Sequence, residues 1–428
     1  MNKPSLVLIG LALLAGCSGG GGDPSTTSSA PPPPGQSPPT PQPQPPPTTQ
    51  PDMLTATSHG LQRGKANGQG QQLIFSHPNM HQQFPLEVSE GNVFYPRKKT
   101  DFDADIWTVR TDGTGDRALL NTTGDEHLLI ANGPWVLYMN DINTPNPGGF
   151  GGSTDQLGWN LRMDTGAQFQ LLDNNGVPMS VHFHEDRVIF QMDYEVFSEP
   201  VTGGPRIQLV ASQNNIVNAS RIAGDALTYA LEGDPDPAVP FLRLFAVPLA
   251  GGETVALDSN EFATYSLHSI GNRVVYERCQ ITVGPCDVVS IEANGTGRVV
   301  LASDPANEAV QGVTTNQVII RRNLAGDDHL LAVPVEGGPE RLLMAMTDNE
   351  FVDLIVGDLL IVRRPSGTWS LDLNGTLTKL GTVVGDSGFI AVGDSVCVTK
   401  VTAVWCMPLN GSGPQVKIAD EGKVVGVL

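Results

Sequence analysis

The stretch 105–125, DIWTVRTDGTGDRALLNTTGD, constrains the fold more than any other part of the chain. It reads as an apolar strand, a tight Asp-Gly turn and a second strand. Two-residue hairpin turns need positive φ, which glycine adopts without steric cost. Comparable turns recur at Asp112-Gly113, Asp164-Thr165-Gly166, Gly203-Gly204 and Gly251-Gly252, then at Asn294-Gly295, Gly337-Gly338, Asn374-Gly375 and Asn410-Gly411. Each follows a strand-like run such as IWTVRT, DVVSIEA or HLLAVPVE. Each precedes a shorter one such as RALLN, RVVLAS or QVKIA.

Upstream of each pair lies another two-strand signal with its own glycine turn, as in YSLHSIGNRVVYER and FIAVGDSVCVTK. The unit is therefore four short strands in roughly 36 to 51 residues, the length of one propeller blade. No helical periodicity interrupts it. The expectation is an all-β chain: a β-propeller of four-stranded antiparallel blades. The eight turns predict eight blades, or seven if the terminal elements share one. Leu73–Ser76 and Lys423–Leu428 read as extra strands, one of which pairs across the seam of the ring and protects its edges.

The run DIWTVRTDGTGDRALLNTTGDE resembles the repeat of the TolB family of propellers, in which an Asp-Ile-aromatic strand leads into an Asp-Gly-x-Gly turn. Later repeats keep the turn and lose that start, with a trace at Cys286-Asp287-Val288. The resemblance implies a propeller used to dock partners. It covers residues of about 86 to 420 and includes no counterpart of the small α/β domain that precedes the TolB propeller.

Residues 1–17 read as a targeting segment outside the fold. Lys3 precedes the apolar run Leu6–Leu14, which is too short to span a bilayer as a helix. Leu14-Ala15-Gly16-Cys17 looks like a bacterial lipobox, so Cys17 is the expected lipidation site. Ser18 after it, by the rules of that family, favours the outer membrane. Outer-membrane lipid, reached through acylated Cys17, is thus one expected partner, with the body either periplasmic or surface-exposed. Residues 18–72 are read as a Gly/Pro-rich disordered linker, because proline-rich chain favours extended polyproline II and buries no core. The propeller is expected over 73–428.

Export fits the remaining cysteines. Cys279 and Cys286 flank one short turn, and Cys397 and Cys406 flank another. Four cysteines allow three pairings, of which only this one joins neighbouring strands. A thiolate metal site is the competing reading, disfavoured because the pairs fall in different blades and no histidine shares their spacing. The balance of 45 acidic against 25 basic residues, net charge −20, argues against nucleic acid as a partner.

Gly385-Asp386-Ser387-Gly388 and Gly393-Asp394-Ser395 imitate hydrolase motifs, but the second occupies the hairpin slot of Gly357-Asp358, Gly224-Asp225 and Gly271-Asn272. Neither is read as a nucleophile. Asp101, Asp103 and Asp105 alternate in TDFDADIW. Carboxylate oxygens suit calcium, though the EF-hand glycine and glutamate are missing and a solvated acidic loop is the plainer reading. No cofactor is required. His182 and His184 in SVHFHED face one side of a strand. They fall in the first strand of the third predicted blade, beside the channel. The loop Asn140–Trp159 is the longest insertion, with Phe150 and Trp159 as candidate apolar anchors, and Glu232–Pro240 is a second. The expectation is a lipid-anchored, non-enzymatic module binding an envelope protein or glycan. The alternative is an envelope polysaccharide lyase or hydrolase with its site in the central channel.

Overall fold

The computed structural model describes residues 51–428, apart from 79, 81–84, 101–102, 123–124, 145–152, 164, 173–179, 193–194, 212–216, 234–240, 263–265, 280–284, 305–306, 325–326 and 386. The expected signal and the first part of the linker, with Cys17, lie outside the described residues, as do Asp101 and Phe150. No α-helix occurs among the described residues, and no helix is long and apolar enough to cross a membrane.

The strands form nine four-stranded antiparallel sheets. Eight of them use consecutive strands and span 87–120, 125–172, 180–210, 217–262, 267–302, 307–346, 351–381 and 387–419. The ninth sheet is assembled from both ends of the chain: Asp52–Thr57, Gly60–Lys65 and Gln72–Ser76 join Gly422–Val427. The body is a nine-bladed β-propeller. Counting from the N-terminus, this shared sheet is the first blade.

The predicted eight, or seven, is corrected to nine. The missed blade lies in residues assigned to the linker, since two strands precede Leu73. Its turn carries the same chemistry as several of the others. Asn67 Oδ1 accepts the Gln69 N–H at 3.0 Å, as Asp112 Oδ1 accepts that of Thr114 at 2.9 Å and Asn294 Oδ1 that of Thr296 at 2.8 Å.

Packing explains why these glycines are glycines. Gly113 has φ +84°, and a Cβ there would lie 1.8 Å from the Ile74 carbonyl oxygen on the outer strand of the preceding blade. Gly68, at φ +80°, approaches Val416 on the outer strand of the ninth blade, with 2.7 Å from a built Cβ to its Cγ1. Gly203 against Phe169 and Gly295 against Val255 seat on the preceding blade in the same way, whereas Gly166 has nothing within 4 Å, and Gly68 carries the series across the seam. Both terminal strands contribute to closure: Met53 stands opposite Val427, and the Leu428 N–H donates to the Asp52 carbonyl at 2.7 Å.

The core is a set of layers between blades. Second strands such as Arg273–Cys279 are buried on both faces, so they read as apolar runs rather than alternating ones. Between the fifth and sixth blades Ala223, Ala230 and Leu244 pack on Leu267, Val274 and Tyr276. Met53 and Ala66 of the first blade pack on Val392, Cys397 and Val404 of the ninth. Leu54 and Leu61, in a separate cluster, pack on Val93 and Tyr95 of the second.

Candidate functional site

The disulfides form as the spacing predicts. Cys279 is bonded to Cys286 and Cys397 to Cys406, each pair directly opposite in register, which removes the thiolate metal reading. Cys397 lies inside the layer between the ninth and first blades, its Sγ 4.0 Å from Met53 Sδ.

Three expectations are corrected. Trp159 is not a loop anchor: it sits on the strand Ser153–Arg162 opposite Tyr138 and packs half-buried on the cluster of Phe94, Ile106 and Tyr138. The insertion is accordingly shorter than Asn140–Trp159, since strand runs to Thr144 and resumes at Ser153. Asp105 is no solvated loop residue. It is 1 % exposed, in a strand opposite Arg97, and is unavailable to an exposed calcium site with Asp103, whose side chain is not described. Gly393 does form the hairpin turn expected of it, at φ +53°, and Ser395 is buried at the start of the next strand.

His182 and His184 lie on Ser180–His184, the innermost strand of what is now the fourth blade rather than the third. Both face the fifth blade. His184 Nε2 is 3.7 Å from Asp225 Oδ1 in that blade's first hairpin turn. His184, Glu185 and Asp225 bring one ligand atom each within 4.8 Å of one another, a donor set suited to a divalent cation. Asp225 also borders a crevice of ≈ 350 Å³ between the fifth and sixth blades, lined mainly by alanine and valine.

The register of the hairpins places His182 more informatively. Strand pairing sets His182 opposite Ile189, Arg221 opposite Thr228 and His268 opposite Val275, each three residues before the first turn residue of its blade. The three therefore hold one position in three consecutive blades. They form an arc at one depth of the channel wall. In other blades the same position holds Ile130, Leu354 or Ile390, opposite Leu137, Ile361 and Cys397. Those apolar side chains pack on the next blade: Ile130 with Val188 and Phe190, Leu354 with Val396, Ile390 with Met53. Gly312, Gly426 and Glu87 complete the layer.

His182 and Arg221 are exposed and His268 is half-buried. Both imidazoles nonetheless titrate below the ordinary histidine value, first because surrounding protein desolvates the cation and second because the Arg221 charge opposes it. Arg221 Nη1 donates to the Ser220 carbonyl at 2.8 Å, and among the described residues it pairs with no carboxylate. Arg273, Arg322 and Arg364 in contrast each reach a glutamate. Sequence reading found His182 and missed Arg221 and His268. Counting back three residues from each inner hairpin turn was the signal that would have found them.

No family model matches the chain, and no curated protein matches it. Solved structures do. The propeller domain of the Trilobed protease from Pyrococcus furiosus, 8% identical, aligns over 79% of this chain and 98% of its own at TM-score 0.41. Oligogalacturonate lyase in complex with manganese, 12% identical, aligns over 77% and 98% at 0.43. Porphyromonas gingivalis dipeptidyl peptidase 4, 11% identical, aligns over 78% of this chain and 58% of its own at 0.51. The likeness is one of scaffold alone.

Proposed function

We propose that the chain is a lipid-anchored, non-enzymatic β-propeller of the bacterial envelope, tethered through Cys17 to the outer membrane and docking a protein or glycan partner on one rim. The carrying observation is topological. Both insertions, 145–152 and 234–240, join the second strand of a blade to its third: Trp135–Thr144 to Ser153–Arg162, and Ala226–Gly233 to Phe241–Pro248. Equivalent connections in a propeller leave from the same rim. Loops on a rigid scaffold are where recognition is usually placed. The TolB-like first repeat supports the same reading, since that family docks partners. An acidic body fits a partner other than nucleic acid.

The test is chemical crosslinking in intact cells, with the two insertions replaced by tight turns in the comparison strain. Loss of the crosslinked partner from a body that still melts normally is expected. An unchanged set of partners would refute the rim. Cys17→Ala should release the protein from the membrane fraction, and continued retention would sink the anchor.

One observation favours a second reading, an envelope polysaccharide lyase or hydrolase. The channel wall brings Arg221 beside His182, and Asp225 beside His184, which supplies groups able to move a proton and to neutralise a carboxylate. Turnover of an acidic envelope polysaccharide, abolished by His182→Gln, would establish it.

A further inference from the structure

The layer position three residues before the inner hairpin turn serves packing in three of the nine blades. Where it holds Ile130, Leu354 or Ile390, it fills the crevice toward the next blade. In the fourth, fifth and sixth blades it holds His, Arg and His instead. Three successive blades thus place polar side chains where Ile130, Leu354 and Ile390 pack against a neighbour. The replacements are all nitrogen bases, in a chain with 45 acidic and 25 basic residues.

We propose that His182, Arg221 and His268 form an oxyanion-binding site on the channel wall, taking the carboxylate or phosphate group of a small ligand.

Arginine presents a planar fork of N–H donors that matches both groups. The two flanking imidazoles add one N–H donor each when neutral and two when protonated. The Ser220 carbonyl engages Nη1 of the guanidinium and leaves other donors of the fork to a ligand. The glycines at 312 and 426 in the same layer keep other parts of the wall clear of side chains. Burial is the larger cause that holds both imidazoles down and the Arg221 charge the smaller; an anion entering the arc offsets the second, so binding and protonation favour each other. This inference concerns the channel and is independent of what docks on the rim.

The experiment follows the imidazole signals of His182 and His268 by NMR in the full chain, titrated with pH. Citrate and inorganic phosphate are separate probes, and chloride at equal ionic strength is the control. Both imidazole titrations should move to higher pH with citrate if carboxylate is the natural group, or with phosphate if phosphate is, and not with chloride. Arg221→Leu installs the residue that the eighth blade already uses. It should weaken the effective probe roughly tenfold or more, the loss expected for a charge-assisted pair. Its melting temperature should hold. Unmoved signals with both probes at millimolar concentration, equal shifts with chloride, or full binding by Arg221→Leu would each overturn the site. His182→Gln and His268→Gln, which keep a donor of similar reach, should lose the pH dependence of binding while retaining part of the affinity.

Discussion

The inner strands of the eighth and ninth blades and those of the fourth to sixth share one register and differ in what they do with it. Leu354 and Ile390 look sideways into neighbouring blades and close the crevice between them. His182, Arg221 and His268 hold the corresponding positions and leave polar groups on the channel wall. The contrast separates two demands that the fold meets with one geometry. One arc holds the ring together, and the other is released from that task to carry charge.

The most disruptive way to break the contrast is to move the charge to the packing side. Leu354→Arg should destabilise by about 3 kcal/mol, because a guanidinium would face an apolar crevice with no carboxylate opposite. Urea unfolding monitored by tryptophan fluorescence would measure it. An effect below about 1 kcal/mol would show that the two arcs are interchangeable.

A smaller effect compares the two disulfides. Each closes a short loop, with Cys279 and Cys286 separated by 7 and Cys397 and Cys406 by 9. Chain entropy alone assigns about 2.5 kcal/mol to each. Cys397 stands opposite Ile390 and shares its core cluster, whereas Cys279 and Cys286 form a cluster of their own. Replacing Cys397 and Cys406 by alanine should therefore cost more than the same change at Cys279 and Cys286. Equal losses in calorimetry would deny the packing side its special role.

Smaller still, Arg221→Leu should change stability by no more than about 0.5 kcal/mol, since the side chain is exposed and meets no carboxylate among the described residues. Destabilisation on urea unfolding would mean that Arg221 is structural. The smallest effect is with pH. The folded-state pKa values of His182 and His268 are lowered, so the unfolded chain binds more protons below the ordinary histidine value of about 6.5. Their contribution to stability is intact above that value and is lost as pH falls below it. His77, lowered by burial and Arg97, acts in the same direction, while Glu87, Glu277 and Glu308, raised by burial, act in the opposite one. The histidine pair is therefore read as the difference between wild type and the double Gln variant. That difference should shrink in an Arg221→Leu background, and a difference flat from pH 7 to 5 would remove the electrostatic account.

The repeat was legible because glycine at positive φ is demanded by backbone sterics wherever a turn touches the blade before it. Eight of the nine outer hairpin turns stood out, the Gly166 turn by its sequence alone. Asn67-Gly68-Gln69-Gly70 did not, because it follows a proline-rich stretch and the polar strand GLQRGK. That strand is one of four in a blade whose innermost strand lies far along the chain, so no local pattern completes it. The disulfides were legible from spacing and hairpin register. Trp159 was misplaced because aromatic residues beside a long insertion look the same in sequence whether they end a strand or extend a loop. The arc was half legible. His182 drew notice as one of a histidine pair, but Arg221 and His268 sit in ordinary strands, ASRIAG and SLHSIG, and gain meaning only when blades are superposed.

The first blade has a temporal consequence. Among the described strands its three outer ones are made before all others, and its inner strand Gly422–Val427 after them. For almost the whole of synthesis the earliest strands have no inner partner, and their exposed edge is open to whatever else can pair with it. A nascent chain of this kind commits to its native state only when Gly422–Val427 returns to Asp52–Thr57, so removing that strand should leave every other blade encoded and the protein unable to lock.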